Sequence, residues 1–232
     1  MLDWSFPPAL WEAIGLTIRL AAVSSLVLLI VGIPLAYWLN ASRMRGVVLI
    51  ETLVSLPIVL PPTVIGFYLL MLMAPQQPVG AAWVSVFGQP LPFSFTGLVI
   101  GSVIYSLPFA VQPFQAAFRG VRRELVQSAL ALGLTRRQAF WSIVLPLSKN
   151  GILTGVSLSF AHTMGEFGVV LMLGGNIPGQ TRVASIALYD EAQKLNYPTA
   201  HAYAVVLLAI SFTILAGITY LQRRQQHTLL GN

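Results

Sequence analysis

The chain has 232 residues, 56% of them apolar and only 9% charged, with no cysteine and a formal net charge of +6. A soluble domain carries about 25% charged residues, so this composition with its positive mean hydropathy indicates a membrane protein. The missing cysteines exclude disulfides and thiolate metal sites. The excess of positive charge does not indicate nucleic acid, because the basic patches alternate with apolar runs of membrane length; retention in cytoplasmic loops explains it better.

Met1 to Glu12 holds Asp3 and Glu12 but no Lys or Arg. It lacks the positive n-region of a cleavable leader, and the apolar run after it exceeds an h-region. That run, residues 13–39, is the first expected span. The second is 47–73, interrupted by Pro57, Pro61 and Pro62. The third is 94–118, with Pro108 and Pro113. The fourth is 151–173 and the fifth 200–221. Each has the roughly 20 residues that a bilayer requires.

Arg43 and Arg45 follow the first span. Arg119, Arg122, Arg123, Arg136, Arg137 and Lys149 follow the third, and Arg223 and Arg224 follow the fifth. These are ten of the thirteen basic residues, all on one side. The other side has Arg182 and Lys194 with Asp3, Glu12, Asp190 and Glu191. The positive-inside rule places the N-terminus outside and the C-terminus in the cytoplasm of a bacterial inner membrane. The expected fold is all-α and polytopic, a single transmembrane domain over 1–232 with five spans. Arg19, early in the first span, either snorkels to the outer interface or attracts an anion. Trp11, Tyr37, Trp38, Trp83 and Tyr220 sit near span ends, as in an aromatic belt.

The loop 119–149 is too polar to span and too patterned for a linker. Residues 124–132 read as a helix with Leu125, Ala129 and Leu132 on one face. Gly133 follows as a left-handed C′ residue. Thr135 and Gln138 form a capping box that opens a second helix carrying Arg136, Arg137, Phe140, Trp141, Ile143 and Val144, which Pro146 ends or kinks. By pattern alone, such a device either fills a groove on a partner or lies on lipid headgroups.

The spacing Gln127-Ser128-Ala129, three residues, Gly133, nine residues, Ile143, one residue, Leu145-Pro146 resembles the E-A-A loop of ABC importer permeases. Gln127 and Ser128 depart from it; Ala129, Gly133, Ile143, Leu145 and Pro146 keep it. Leu56 to Gly66, with its three prolines, resembles the second span of molybdate permease subunits. So do His162-Thr163-Met164-Gly165-Glu166-Phe167-Gly168 and Gly175-Asn176-Ile177-Pro178-Gly179-Gln180-Thr181-Arg182. The Gly-Glu-Phe-Gly part is shared with sulfate permeases, while the Asn-Ile-Pro-Gly-x-Thr part leans to molybdate. The likeness covers roughly 12–222. It implies a type I ABC importer permease (MetI-like). The loop, through Gln127, Ser128, Ala129, Gly133, Arg136, Arg137, Ile143, Leu145 and Pro146, would seat in a cytoplasmic ABC ATPase dimer, a second copy of the permease would complete the pathway, and a periplasmic oxyanion-binding protein would deliver molybdate or tungstate. The chain would have no catalysis and bind no cofactor or metal; ATP-Mg would sit on the partner subunit, since the chain has no P-loop.

Read physically, the prolines of the second span either line a gate or make a static kink. Glu166 is the acid deep in a span, costing about 2.5–3.5 kcal/mol there. His162, four residues earlier, is expected to pair with it, and Gly165 and Gly168 to admit a neighbouring helix. Phe167 belongs to the same stretch. Glu166 then serves either packing or gating. In the outer loop, Asn176, Pro178 and Arg182 are candidates for contact with the delivering protein, with Arg182 otherwise simply solvated. Two other classes fit less well. A membrane enzyme needs clustered acids, histidines or a nucleophile, whereas His162, His201 and His227 lie far apart. An ATP-independent channel or secondary transporter would favour an inverted repeat, and none is visible.

Overall fold

The computed structural model describes residues 7–42, 44 and 46–230, the side chains of 218 and 221–230 excepted. Asp3, Arg43 and Arg45, and the side chains of Arg223, Arg224 and His227, therefore lie outside the described residues. The described residues form helices joined by short turns.

Helix α1 (Pro8–Ala41) starts on Pro8, whose missing N–H would be unpaired at that position anyway, and runs 34 residues through Pro34. The second expected span is not one kinked helix. It divides into α2 (Val47–Ser55), a 3₁₀ turn (Leu56–Ile58) and α3 (Pro62–Met73), with a bend of 113°. Pro61 and Pro62 cannot donate, and Pro62 pushes Pro61 to extended backbone at ψ 135°. In the third span, α5 (Phe95–Gly120), Pro108 and Pro113 are isolated and the helix stays continuous.

A short apolar helix absent from the sequence reading, α4 (Pro78–Phe87), folds back on α3. A Cβ on Gly80 would stand 2.1 Å from the Ala74 carbonyl oxygen, so only glycine permits the fold-back. After α5 come α6 (Arg123–Ala131), α7 (Arg136–Ala139), a π-helical turn (Phe140–Val144) and α8 (Leu145–Leu147). The stretch Arg136–Leu147 meets α9 (Lys149–Gly165) at 70°. The fourth expected span is also interrupted. α9 stops at Gly165, Glu166 and Phe167 are non-helical, and α10 (Gly168–Gly174) resumes. A second unanticipated helix, α11 (Ala184–Gln193), precedes α12 (Tyr197–Leu230).

Pro8–Ala41, Phe95–Gly120 and Tyr197–Gly217 are each long and apolar enough to cross a membrane, and counting each bent pair as one span gives up to five. The core is the α1, α5 and α9 bundle, in which Leu28, Val111 and Phe114 are fully buried. Its outer half encloses α10 between α3 and α5 through Leu98, Val169 and Leu173. Leu10, Ile14, Ala187 and Tyr203 tie α1 to α11 and α12.

Candidate functional site

At the basic end, α6 and α7 are held by their own neighbours in sequence. Gly133 has φ +92°, a region L side chains avoid. Its N–H donates to the Leu130 carbonyl, and that of Leu134 to Ala129, at 3.0 and 3.1 Å. The Thr135 hydroxyl accepts from the Gln138 N–H, while the Gln138 side chain accepts from the Thr135 N–H at 2.8 Å. The capping box and the left-handed glycine thus match expectation. Ala129 is buried, Ile143 and Leu145 half-buried, and Gln127, Ser128, Arg136, Arg137 and Pro146 exposed. Leu132 at the turn is 83% exposed and Trp141 59% exposed. Pro146 neither ends nor kinks the helix at its own position. The ladder widens before it instead, Leu145 N–H reaching Phe140 five residues back, and the bend falls at Ser148.

In mid-bundle the expected His162–Glu166 pair is not formed. α9 ends at Gly165, so the i, i+4 register does not reach residue 166. His162 Nδ1 lies 2.9 Å from the Ser106 hydroxyl, itself 3.0 Å from that of Thr163. The imidazole stacks on Phe109 at 4.0 Å and leans on Tyr105 at 4.8 Å. His162 therefore joins α9 to α5. Glu166 is 4% exposed, and neither carboxylate oxygen has a hydrogen-bond partner among the described residues. The hydroxyl of Ser102 lies beside it, outside bonding geometry and itself unpartnered. Only the main chain of Glu166 is anchored, its carbonyl accepting from the Ser185 hydroxyl at 2.6 Å.

The two interrupted spans meet at their breaks. A Cβ on Gly168 would lie 2.6 Å from Pro62 Cβ, and one on Gly66 2.7 Å from Met172 Cβ. Gly168 thus admits a neighbour as expected, but Gly165 is exposed with nothing near it. Phe167 turns away and packs on Tyr189 at 4.9 Å. Pro57 is buried, Pro62 half-buried and Pro61 exposed; next to them Ile58 and Val59 are 51% and 81% exposed.

In the outer loop, Thr181 is the organiser. Its buried hydroxyl donates to the Gly174 carbonyl at 2.6 Å and accepts from Ile177 N–H at 3.2 Å. Arg182 is not solvated. It bonds Asp190 at 2.7 Å and Glu191 at 3.3 Å, with its side chain 19% exposed. Lys194 bridges the same two acids. The Asp190 carboxyl is held below its usual range, chiefly by the Lys194 hydrogen bond and further by Asn176 and Arg182. Asn176 and Pro178 remain exposed.

Residues 15–227 match the family described as binding-protein-dependent transport system inner membrane component. The chain belongs to this family. It is 44% identical over 212 residues to the molybdenum transport system permease protein ModB of Azotobacter vinelandii, covering 91% of this chain and 93% of that one. It is 34% identical to ModB of Escherichia coli K12, with 88% of each chain covered. The sulfate transport system permease protein CysT of the same organism is 32% identical, over 97% of this chain and 81% of that one. Among solved structures, a bacterial ABC transporter that imports alginate superposes at TM-score 0.77 and 20% identity, over 94% of this chain and 80% of that chain. The inward-facing MetNI methionine transporter superposes at 0.70 and 15%, over 93% and 94%. The fold is thus that of ABC importer permeases, and the protein is a multi-pass inner-membrane transport component.

This permease also has a polar link that the sequence reading missed. Glu51 in α2 accepts from Gln115 at 2.9 Å and Arg119 at 3.2 Å, fastening α2 to the basic end of α5. Gln115 and Arg119 are four apart and share a face, but their partner is more than sixty residues away in sequence. Arg19 lies 4.6 Å from the centroid of the Phe95 ring, a cation–π contact.

Proposed function

We propose that this chain is the permease subunit of an ATP-driven importer that carries molybdate, and with it tungstate, into the cytoplasm. The observation that carries the reading is the capped helix–Gly133–helix loop at the basic end, joined to 44% identity with a molybdenum permease over nearly the whole chain. An apolar Leu132 left 83% exposed at the tip of a rigid turn needs a cover, and a cleft in an ABC ATPase subunit supplies one. Gln127, Ser128, Ala129 and Gly133 form that coupling surface, with Ile143, Leu145 and Pro146 fixing it to α9. ATP-Mg is bound and hydrolysed by the partner.

Two copies of the permease form the pathway. Val59 and Ile58, exposed beside Pro57, Pro61 and Pro62, are the gate candidates at the interrupted second span, with His162, Glu166 and Phe167 at the facing break of the fourth. ATP binding would draw the loops together and switch the breaks between two arrangements. A periplasmic oxyanion-binding protein docks over exposed Asn176 and Pro178, with Arg182 holding the loop in shape from within.

Radiolabelled molybdate uptake in a strain lacking the gene tests this. The chain restores uptake, excess tungstate suppresses it, and sulfate leaves it unchanged. The 32% identity to a sulfate permease over 97% of the chain favours sulfate or thiosulfate as the second reading, and dominant competition by sulfate would select it. Uptake that survives ATP depletion would instead indicate a channel or secondary transporter.

A further inference from the structure

One cavity is not absorbed by this function. Between the cytoplasmic half of α1 and the stretch α7–π-turn lies a groove of about 710 Å³. Leu29, Ile33 and Tyr37 form its α1 wall, Phe140 and Trp141 the opposite wall, and Arg136 and Arg137 its rim. Tyr37 and Phe140 close the floor with ring centroids 4.6 Å apart.

Three properties point to one occupant. First, the groove is amphipathic along its length: apolar from residue 29 to the aromatic pair, then cationic. Arg136 and Arg137 stand four residues before Phe140 and Trp141, so each arginine shares a helix face with one aromatic residue. Second, its size is that of one leaflet. Residues 29–41 of α1 rise about 18 Å at 1.5 Å each, against about 15 Å for half a hydrocarbon core. Third, neither arginine has an ion pair or side-chain hydrogen bond among the described residues, and no acid lines the groove. Glu124 and Glu51 are engaged by Arg122 and Arg119. Two uncompensated cations at the cytoplasmic mouth of an apolar slot complement a phosphate joined to an acyl chain.

We infer that this groove holds an anionic phospholipid of the inner leaflet, one acyl chain along Leu29 and Ile33 and its phosphate on Arg136 and Arg137. The two arginines then belong to the membrane interface, and the lipid braces the α7 end of the coupling loop against α1.

Native mass spectrometry of the purified full chain, titrated with phosphatidylglycerol or phosphatidylcholine of equal chain length, tests it. Wild type retains phosphatidylglycerol with a preference of roughly tenfold or more. The double variant Arg136→Gln/Arg137→Gln loses that preference, and Ile30→Trp, which fills the groove from an exposed position, loses retention of both lipids. Unchanged preference in both variants would overturn the inference. So would loss of ATPase co-purification in the double variant with lipid preference intact, since the arginines would then serve the ATPase. Because the chain has no cysteine, Ile30→Cys supplies a measurement in membranes that needs no arginine change. A spin label there broadens against spin-labelled phosphatidylglycerol if lipid fills the groove; a disulfide-linked dimer would show that a second copy covers it and would overturn the proposal.

Discussion

The chain is interrupted in two ways, at Gly133 and at Glu166, and the contrast separates what local chemistry holds from what only packing holds. At Gly133 every stabilising hydrogen bond comes from within six residues: Ser128, Ala129 and Leu130 supply the carbonyls, and Thr135 and Gln138 close the next helix. The turn sits at the aqueous end of the bundle, where a left-handed glycine and a capping box suffice. At Glu166 the local sequence supplies little beyond the helix-end bond from the Glu166 N–H to the Thr163 carbonyl at 3.3 Å. The break is held by Ser185 nineteen residues on and by Pro62 of another helix against Gly168. Its carboxylate is buried without a hydrogen-bond partner among the described residues. A turn of the first kind is rigid by itself; a break of the second kind is as rigid as its neighbours and can move when they do.

Four experiments break or sharpen that contrast. The largest effect is expected at the local turn. Gly133→Asp forces a side chain into φ +92°, costing about 1–2 kcal/mol, and adds an acid to the coupling surface. Co-purification with the ATPase and uptake are lost while membrane insertion persists; an unchanged substrate-stimulated ATPase rate would remove the coupling role from this loop. Next, Gly168→Leu drives a side chain into Pro62 and destabilises the detergent-solubilised chain by about 1–3 kcal/mol in a thermal unfolding assay, whereas Gly165→Ala, in open space, leaves the melting temperature unchanged.

Glu166→Gln is subtler. No bond among the described residues is removed, so stability changes by less than about 1 kcal/mol and assembly persists, while uptake falls if the residue gates. Loss of the assembled complex would mean that Glu166 meets a group on the second copy and packs. The smallest effect is at the outer loop. Asp190→Asn leaves Arg182 with Glu191 and costs under about 1 kcal/mol. Since the Asp190 carboxyl is held below its usual range, its contribution is complete above the unfolded value near 3.9 and is lost only as pH falls through the lower folded value. Hydrogen-exchange protection factors over residues 176–194, with the intrinsic pH dependence of exchange divided out, therefore stay constant from neutral pH down to about pH 4 and fall below it.

Legibility followed the range of the interactions. Gly133 at C′, the Thr135–Gln138 box and the first, third and fifth spans, helices α1, α5 and α12, are readable because each depends on neighbours or on a run of apolar residues long enough to span. The interruption of the second span was readable as a kink but not as a 113° bend, since Pro57, Pro61 and Pro62 fix what cannot bond and leave the new direction to packing. α4, apolar, and α11, which carries Asp190 and Glu191, are each ten residues long, short of the length at which periodicity distinguishes a helix from a connecting loop. The His162–Glu166 pair failed for one reason: four-residue spacing implies contact only while the helix continues, and α9 stops between them. Arg182 read as a solvated cation because its partners, eight and nine residues on, lie on α11.

Composition, charge asymmetry and motif spacing thus determined by themselves that the chain crosses a membrane, which end is basic, and where a helix–turn–helix stands ready for a partner. These are sums over many residues or bonds between near neighbours, and neither needs the fold. Tertiary structure alone decided that His162 bonds Ser106, that the Glu166 carbonyl is held by Ser185, that Gly168 rather than Gly165 meets a neighbouring helix, and that Glu51 fastens α2 to α5. Each of these is a contact between segments far apart in sequence. Its geometry follows from how whole helices pack, and no local pattern encodes it.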